Sequence, residues 1–447
     1  MDRPVPELTV SERLAALWDH LGLSVAHVAT QVPADVAGFS VSHPDRIAGL
    51  VFCVPTRLDP APFVAVAARV LLIAGESGPT VEVTARAARN LPGSARVVLA
   101  GYDAPGWADV VADRPDDIFP HMLSLRGHPA DPPRHAPPTG THAGITYTVQ
   151  GEGPALVLLP FFLAPSQWDP IFSRLVRHFT VITLGGPHIG GVAALEDRAR
   201  APSYQGMIRT LFDVMAPGPG EKILDVGCGS GALDRMLARR FADKNAITAT
   251  DLNPFLLREA EALAAAEGFS GAIRFQTANA EALPFPDDAF DCAFSVTVLE
   301  ECDADRALAE IHRVLRPGGR AGIIVRAIDM PQWWHLSLPE ALRGVVEKPP
   351  QSVGARGVAD SSLYRRMQAT GFSDLTCFPS LVTLDRPDGP IWRYREDHVR
   401  SLLSAEEAKI WGTLTEAARA ENLLFMAHPM HCVVGVKPQD DGHEQTA

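Results

Sequence analysis

Three glycines at every second position, directly after a short apolar segment, constrain the fold of this chain most strongly. The segment at 223–226 contains Asp225, and a helical stretch follows at 232–241. Between them lie the glycines Gly227, Gly229 and Gly231. Glycine leaves no side chain between the backbone and a ligand, and the first turn of a helix offers unpaired N–H groups. The pattern therefore predicts a nucleotide or nucleoside pocket at the carboxyl end of a parallel strand.

A second acidic residue strengthens this prediction. Residues 246–250 have the pattern of a short strand, and Asp251 stands at its end. An acidic side chain one β-α-β unit after a glycine loop lies where it accepts hydrogen bonds from both ribose hydroxyls. An ordinary strand-to-helix turn would explain either feature alone, but it is a poor explanation of the pair.

The spacing of the glycines separates two classes of ligand. Dinucleotide enzymes use Gly-x-Gly-x-x-Gly, with a helix N-terminus facing a pyrophosphate. Here Gly-x-Gly-x-Gly follows Asp225, whose carboxylate repels a pyrophosphate but accepts hydrogen bonds from an ammonium group. The spacing favours a ligand with an amino-acid tail, such as S-adenosylmethionine. An NAD-dependent oxidoreductase is the alternative from another enzyme class.

Residues 203–330 resemble class I S-adenosylmethionine-dependent methyltransferases of the small-molecule type. Their motifs match in the family's order at 224–231, 249–253, 279–285, 290–295 and 312–319. The resemblance implies an α/β fold with a Rossmann-like, mixed but mostly parallel sheet. It also implies S-adenosyl-L-methionine as the cofactor and a small organic molecule as the methyl acceptor. The motifs identify neither the acceptor nor the atom methylated.

The same resemblance implies which residues hold the cofactor. Tyr204 is placed as an aromatic cover, Asn279 replaces the family's more frequent aspartate on the adenine side, and Ser295 lies beside the methionine part. The expected cofactor-binding residues are Tyr204, Asp225, Gly227, Cys228, Gly229, Gly231, Asp251, Leu252, Asn279, Ala280, Glu281 and Ser295.

Candidate catalytic bases follow the fourth and fifth strands of the predicted sheet. The sulfonium carbon is already electrophilic, so the enzyme mainly aligns the reactants, but a hydroxyl or amine acceptor must also lose a proton. Glu300, Glu301 and His335 are the candidates, each with an ordinary solvated or capping role as the alternative. His335 follows Trp333 and Trp334, which either wall an apolar pocket or pack against a helix.

The composition limits the classes of partner and ligand that the chain is expected to bind. A formal net charge of −13 without a basic run argues against nucleic acid, because phosphate binding needs clustered Lys and Arg. The six cysteines are scattered without a Cys-x-x-Cys pair, which predicts neither a disulfide framework nor a metal site. His428 and His431 flank Pro429 and are expected in a loop near the last strand.

Targeting and membrane signals are also weak. The first seven residues lack the pattern of a signal peptide, and the longest apolar run, 155–164, is too short to span a bilayer. We therefore expect a cytoplasmic protein whose partner is a small-molecule acceptor, with no membrane partner.

The first 200 residues alternate strand and helix patterns, which predicts another parallel sheet. Residues 1–127 resemble the C-terminal half of an α/β-hydrolase, and residues 145–200 resemble its N-terminal half. The two halves are in swapped order, and a Pro-rich linker at 128–144 joins them. The methyltransferase domain is then expected at 201–438, with a disordered tail at 439–447.

The chemistry of a hydrolase does not follow from this resemblance. Val32 stands where a nucleophilic serine is required, Ser77 and Gly78 stand near the position of the acid, and residues 101–104 contain no histidine. The hydrolase-like half is therefore expected to be non-catalytic. It either binds the acceptor, covers the pocket or forms a homodimer contact, or it has a packing role only. A non-catalytic cofactor-binding or scaffold protein is the second alternative for the whole chain.

Thermal shifts with the two cofactor classes test the ligand prediction. S-adenosylhomocysteine should raise the melting temperature of the purified chain, because a ligand that binds only the folded state stabilises it. NAD at the same concentration should leave the melting temperature unchanged. A shift with NAD and none with S-adenosylhomocysteine would contradict the prediction.

Overall fold

A computed structural model describes residues 8–78, 80–103, 109–127, 129–134, 137–161, 164–241, 245–351, 353–387 and 389–439. The chain divides into two compact units, Met1–Ala193 and Ala194–Ala447. Some sequence predictions fall outside the described residues: those for 1–7, for 440–447 of the tail, and for 128, 135 and 136 of the linker.

The first unit is an α/β structure built on one sheet. Its described strands are β1 (Ala26–Thr30), β2 (Ile47–Cys53), β3 (Val70–Ser77), β4 (Ala95–Asp103), β5 (Thr139–His142), β6 (Ile145–Gln150), β7 (Ala155–Leu158) and β8 (Thr180–Gly185). Its described helices are α1 (Val10–Leu21), α2 (Ala34–Ser42), α3 (Thr80–Asn90), α4 (Val110–Asp113), α5 (Pro115–Ser124) and α6 (Asp169–Leu175). Within the described residues the strand order is β4-β3-β2-β1-β7-β8-β6-β5.

Burial explains the centre of this sheet. Every residue of β1, β2 and β7 is buried, as expected for parallel strands that are covered on both faces. The predicted parallel sheet is confirmed from β4 to β8, whereas β5 and β6 form an antiparallel edge. Helix α1 begins at a capping box on Thr9 and ends at Gly22 in the left-handed region.

The second unit contains the glycine motif. Helix α7 (Gly190–Arg200) includes the boundary between the units. The described strands that follow are β9 (Lys222–Val226), β10 (Ala246–Asp251), β11 (Ile273–Thr277), β12 (Phe290–Val296), β13 (Leu315–Arg326), β14 (Trp333–Trp334), β15 (Ser373–Leu384) and β16 (Met426–Val436). The helices are α8 (Pro202–Met215), α9 (Ala232–Phe241), α10 (Pro254–Ala266), α11 (Ala304–Val314), α12 (Glu340–Val346), α13 (Ser362–Thr370), α14 (Gly389–Leu402) and α15 (Ala405–Ala420).

The sheet of the second unit is mixed and mostly parallel, as predicted. Its order is β11-β10-β9-β12-β13-β16-β14, and β15 pairs with β16. Strands β9 to β13 are parallel, whereas β16 runs antiparallel to β13. Since β9, β10 and β12 are neighbours that point the same way, the residues after their carboxyl ends meet at one edge. This edge is the expected place for a ligand in a Rossmann-like sheet.

One expectation about the last strand was wrong. His428 and His431 do not lie in a loop, because both are buried within β16, which continues through Pro429. His431 is held by the Asp329 carboxylate at 2.7 Å and the Tyr364 hydroxyl at 2.9 Å. Pairing with β13 on one side and β15 on the other explains why this polar segment is a strand.

The two adjacent tryptophans have different environments. Trp334 is buried and makes edge-to-face contacts with Trp392 at 5.3 Å and Trp411 at 4.9 Å between ring centroids. Trp333 is 47% exposed. Packing against helices α14 and α15 is therefore the role of Trp334. Within the described ranges, every helix is too short or too polar to span a bilayer.

Chemical denaturation of two matched variants tests this packing. Trp334→Ala should lower the free energy of unfolding by about 3–5 kcal/mol, because it leaves a cavity between two other indole rings. Trp333→Ala removes the same side chain from an exposed position and should change the free energy by about 0.5 kcal/mol or less. Equal losses, measured by circular dichroism in urea, would contradict the assignment.

Candidate functional site

The glycine motif forms a tight turn directly after β9. The N–H groups of Gly227 and Cys228 both donate to the Thr250 carbonyl at 2.8 Å, which ties the turn to the end of β10. Gly227 has φ of 85°, and a Cβ at this position would overlap the side chain of Val298. Only glycine therefore allows this backbone path at 227, where the backbone is left without a side chain.

Asp251 is fixed where the sequence predicted a ribose-binding carboxylate. Its Oδ2 accepts from the Gly229 N–H and its Oδ1 from the Asn253 N–H, both at 3.0 Å. Each carboxylate oxygen has a second lone pair, so both still accept a further hydrogen bond. The adjacent Leu252 side chain is 67% exposed, which leaves an apolar surface beside this carboxylate.

Asp225 is a buried carboxyl group beside the glycine turn. Its side chain is 2% exposed, and no N–H or hydroxyl of the described residues donates to its Oδ2, so the Asp234 carboxyl group is the side chain that shares a hydrogen bond with it. Burial raises the pKa of Asp225 well above its ordinary value, and the neighbouring Asp234 carboxyl raises it further. Burial likewise raises the pKa of Asp234. A ligand ammonium group would satisfy the orphaned oxygen, so the residues present fit a cofactor with an amino-acid tail.

The predicted adenine side is a short turn after β11. Asn279 is exposed, and its Oδ1 accepts from the Glu281 N–H at 2.9 Å, so its amide NH₂ still has donors for a ligand. The Glu281 carboxylate is engaged by the protein itself, since it accepts from the Asp303 N–H at 3.0 Å and lies 3.3 Å from Arg306. Glu281 thus orders the turn that carries Asn279 and Ala280.

Two further predicted residues are buried beside the glycine loop. The Ser295 hydroxyl donates to the Val226 carbonyl at 2.7 Å, so it fixes β12 against β9. Tyr204 is buried with its hydroxyl unpartnered by any described group, and the Arg198 guanidinium lies 5.2 Å from its ring centroid. Burial raises the pKa of Tyr204; Arg198 lowers it, and Asp225 raises it.

The three candidate bases have different surroundings. Glu300 is 1% exposed; its Oε1 accepts from the Arg326 N–H at 2.8 Å, and its Oε2 has no partner in the described part of the chain. Burial raises the pKa of Glu300, while the Arg326 N–H lowers it. Glu301 is exposed. His335 is also exposed; its Nδ1 lies 2.8 Å from the Leu423 carbonyl, and its ring stacks on Phe425.

The structure therefore brings only part of the predicted set together. Asp225, Tyr204 and Glu300 are close enough that the two carboxylates both raise the pKa of the tyrosine. The contacts of His335 are instead with Trp333, Leu423 and Phe425. Its role as a base stays a prediction that these contacts do not support.

A buried ion pair behind the glycine loop was missed from the sequence. Glu196 of α7 receives two hydrogen bonds from Arg235 of α9, at 2.8 and 2.7 Å, and a third from the Ser230 hydroxyl at 2.6 Å. Arg235 also donates to the Ser230 carbonyl at 2.7 Å. These bonds hold the loop against α7. Asp234, also missed, lies in the first turn of α9, and that position was a usable signal.

Comparison with known proteins gives a family for this part of the chain. Residues 224–323 match a family model described as a methyltransferase domain. The ubiquinone/menaquinone biosynthesis C-methyltransferase UbiE of Serratia proteamaculans is 32% identical over 189 residues, which are 38% of this chain and 73% of that protein.

Two other relatives match over shorter regions. UbiE of Teredinibacter turnerae is 36% identical over 115 residues, 26% of this chain and 45% of that protein. The uncharacterized protein Rv1405c of Mycobacterium tuberculosis is 43% identical over 149 residues, 29% of this chain and 53% of that protein. The chain thus spans about half the length of these two curated relatives.

The acid pair makes the ligand-free protein sensitive to pH. Because burial raises the pKa of Asp225 and Asp234, the folded chain binds more protons than the unfolded chain between the ordinary and the raised values. The free energy of unfolding should therefore fall as pH rises through that range. Asp234→Asn removes one of the two carboxyl groups, so its melting temperature should fall less than that of the wild type from about pH 5 to pH 8.

Asp213→Asn is the matched control, because Asp213 is an exposed carboxylate of the same unit, paired with Arg240. It should keep the pH dependence of the wild type. Parallel curves of melting temperature against pH for Asp234→Asn and Asp213→Asn would show that Asp225 and Asp234 do not cause the pH dependence.

Proposed function

The chain belongs to the class I S-adenosylmethionine-dependent methyltransferases, and from this premise we propose that it transfers a methyl group from S-adenosylmethionine to a small organic acceptor. One observation carries the proposal: the buried Asp225 oxygen to which no N–H or hydroxyl of the described residues donates, directly before the glycine turn. Membership of this family also favours S-adenosylmethionine over NAD as the cofactor.

We assign the cofactor contacts as follows. Asp225 accepts from the ammonium group, Asp251 accepts from the ribose hydroxyls, and Asn279 donates to the adenine. The exposed apolar side chain of Leu252 supports an adenine position next to Asp251. Gly227 and Gly229 let the backbone approach the ligand, while Ser295 and Tyr204 support the wall beside it. When bound, the cofactor supplies an electrophilic methyl carbon on a sulfonium.

Glu300 is the base that the geometry supports best. Its buried Oε2 is without a partner in the described ranges, and the Arg326 N–H at 2.8 Å holds the other oxygen in place. A carboxylate with a raised pKa is a stronger base than an exposed one, so Glu300 is suited to take the proton from an acceptor hydroxyl or amine. Burial also raises the pKa of Glu301, but its side chain is exposed and lacks the backbone N–H that orients Glu300. The contacts of His335 lie with Leu423 and Phe425.

We further propose that the first unit is a circularly permuted, degenerate α/β-hydrolase-like domain. The first described strand, β1, lies in the middle of the sheet beside β7, and β4 and β5, which follow each other among the described strands, form its two opposite edges. This arrangement supports a permutation, because joining the original ends of a sheet produces one long connection between its edges. The connection is the stretch between Asp103 and Thr139.

The turn after β1 supports a non-catalytic role for this unit. A hydrolase presents its nucleophile on such a strand-to-helix turn. Here the turn between Thr30 and Ala34 contains Val32, whose N–H is capped by the Thr30 hydroxyl at 2.9 Å. The turn is thus stabilised without a nucleophile, and we assign no hydrolysis to it.

Acceptor screening by mass spectrometry tests the proposed transfer. The full chain with S-adenosylmethionine and a panel of small organic acceptors should form S-adenosylhomocysteine and a methylated product. Asp225→Asn should weaken binding of S-adenosylhomocysteine by about tenfold to a hundredfold, since it removes a charge-assisted hydrogen bond. Cofactor binding without transfer to any acceptor would instead favour the non-catalytic alternative.

Two neighbouring glutamates test the base. Glu300→Gln should lower kcat by about 10²–10⁴-fold, because general-base catalysis is lost, and should leave the affinity for S-adenosylhomocysteine unchanged. Glu301→Gln, one residue away and exposed, should keep kcat within about twofold. In the wild type kcat should rise with pH as Glu300 ionises. A kcat that is insensitive to Glu300→Gln would eliminate this role.

A further inference from the structure

Arg395 is a buried cation for which the described residues supply no counter-ion. It lies on α14 and is 5% exposed. In the described part of the chain its side chain forms no ion pair, and its Nε has no hydrogen-bond partner. Burial lowers the pKa of Arg395 to about 10, Tyr394 raises it, and the nearby Arg326 and Arg198 lower it. An unpaired guanidinium in a protein interior is costly, so this position needs an explanation.

Near Arg395 lie three further side chains that contain nitrogen, Arg198, Arg326 and His428. Burial lowers the pKa of His428 well below its ordinary value, and Arg395, Arg198 and Arg326 all lower it further. His428 is therefore neutral and can donate or accept a hydrogen bond. We call Arg198, Arg326, Arg395 and His428 the arginine cluster.

The charges within the arginine cluster do not cancel. Arg326 lies 3.5 Å from the Glu300 carboxylate and 3.9 Å from that of Glu301. Arg198 donates to the Thr297 hydroxyl at 3.0 Å, a neutral group, and its Nε is unsatisfied among the described residues. Arg395 and Arg198 thus form no ion pair with the described residues, and their ring contacts, with Tyr394 at 5.7 Å and Tyr204 at 5.2 Å, leave both charges without a carboxylate.

The arginine cluster adjoins the proposed cofactor site. Arg198 bonds to Thr297, and the next residue, Val298, fills the space against Gly227 of the glycine turn. Arg198 also lies over the Tyr204 ring, at 5.2 Å from its centroid, while Asp225 influences the pKa of the same tyrosine. These contacts place Arg198 beside the glycine turn and Tyr204. Helix α14, which carries Arg395, begins against α7 next to Arg198, since a Cβ on Gly389 would lie 2.6 Å from the Asp197 carboxylate.

We propose that the methyl acceptor carries an oxyanion, a carboxylate or a phosphate, that binds Arg395 and Arg198. The inference rests on the proposed methyl transfer and adds the chemical class of the acceptor. A guanidinium presents parallel N–H donors that match two oxygens of either group, and a buried site strengthens such bonds. The oxyanion fixes one end of the acceptor, which leaves its other end to meet Glu300 and the methyl donor.

A stability comparison with simple anions tests the arginine cluster. The probes are inorganic phosphate and malonate, added to the full chain with and without S-adenosylhomocysteine, against sodium chloride at equal ionic strength. The variants are Arg395→Met, Arg395→Lys and the control Arg400→Met. Arg400 lies on the same helix but is exposed and paired with Glu396 at 2.9 Å.

The order of melting temperatures should reverse with the anion. Without a probe, Arg395→Met should melt above the wild type, because it removes an uncompensated buried charge. At saturating phosphate or malonate the wild type should melt higher, and its apparent affinity for the probe should exceed that of Arg395→Met by about tenfold to a hundredfold. Arg395→Lys should keep a weaker response, and Arg400→Met the full response. The probe with the larger effect identifies the group.

Other results would overturn the anion site or the proposed function. If neither probe stabilises the wild type more than chloride does, or if Arg395→Met responds as strongly as the wild type, the arginine cluster is not an anion site. An Arg395→Met protein that is less stable in every condition assigns Arg395 a packing role and also overturns the proposal. A chain that responds to the probes but gives no shift with S-adenosylhomocysteine contradicts the proposed function and not the anion site.

Discussion

The unsatisfied carboxylate of Asp225 is the constraint on which the rest of the site depends. A buried charge without a partner is unfavourable, so the folded chain keeps Asp225 and Asp234 at raised pKa values and leaves one oxygen unused. The protein tolerates this cost because the surrounding loop is held independently, by the Glu196–Arg235 ion pair and by the bonds from Gly227 and Gly229. The site is thereby organised before the ligand arrives, which reduces the entropy cost of binding.

The proposed acceptor site also depends on a buried ionisable side chain. Asp225 is a buried carboxyl group that suits a cation once it is ionised, and Arg395 is a buried cation that suits an anion. Arg198 lies over the ring of Tyr204, 5.2 Å from its centroid, and so links the proposed acceptor site to the wall of the proposed cofactor site. The opposite charges of Asp225 and Arg395 would orient the two ligands, cofactor and acceptor, relative to each other, which is the main requirement of a transfer reaction.

Local sequence patterns predicted the elements that carry the cofactor site. The glycine turn, the strand that ends at Asp251 and the helix at Ala232–Phe241 all depend on residues close in sequence, and the structure contains them. The arginine cluster depends on residues from α7, β13, α14 and β16, which only the folded sheet brings together. No periodicity or motif marks Arg395. For the same reason His428 was expected in a loop, because Pro429 beside it signals a break that pairing on both sides of β16 overrides.

The most direct test of the central claim is calorimetry with two ligands that differ in the amino-acid tail. S-adenosylhomocysteine has this tail, and 5′-methylthioadenosine lacks it but keeps the adenosine. The wild type should bind S-adenosylhomocysteine more tightly, and Asp225→Asn should reduce this preference by about tenfold or more. If both proteins show the same preference, or if neither ligand gives heat with the wild type, Asp225 does not recognise the cofactor as described.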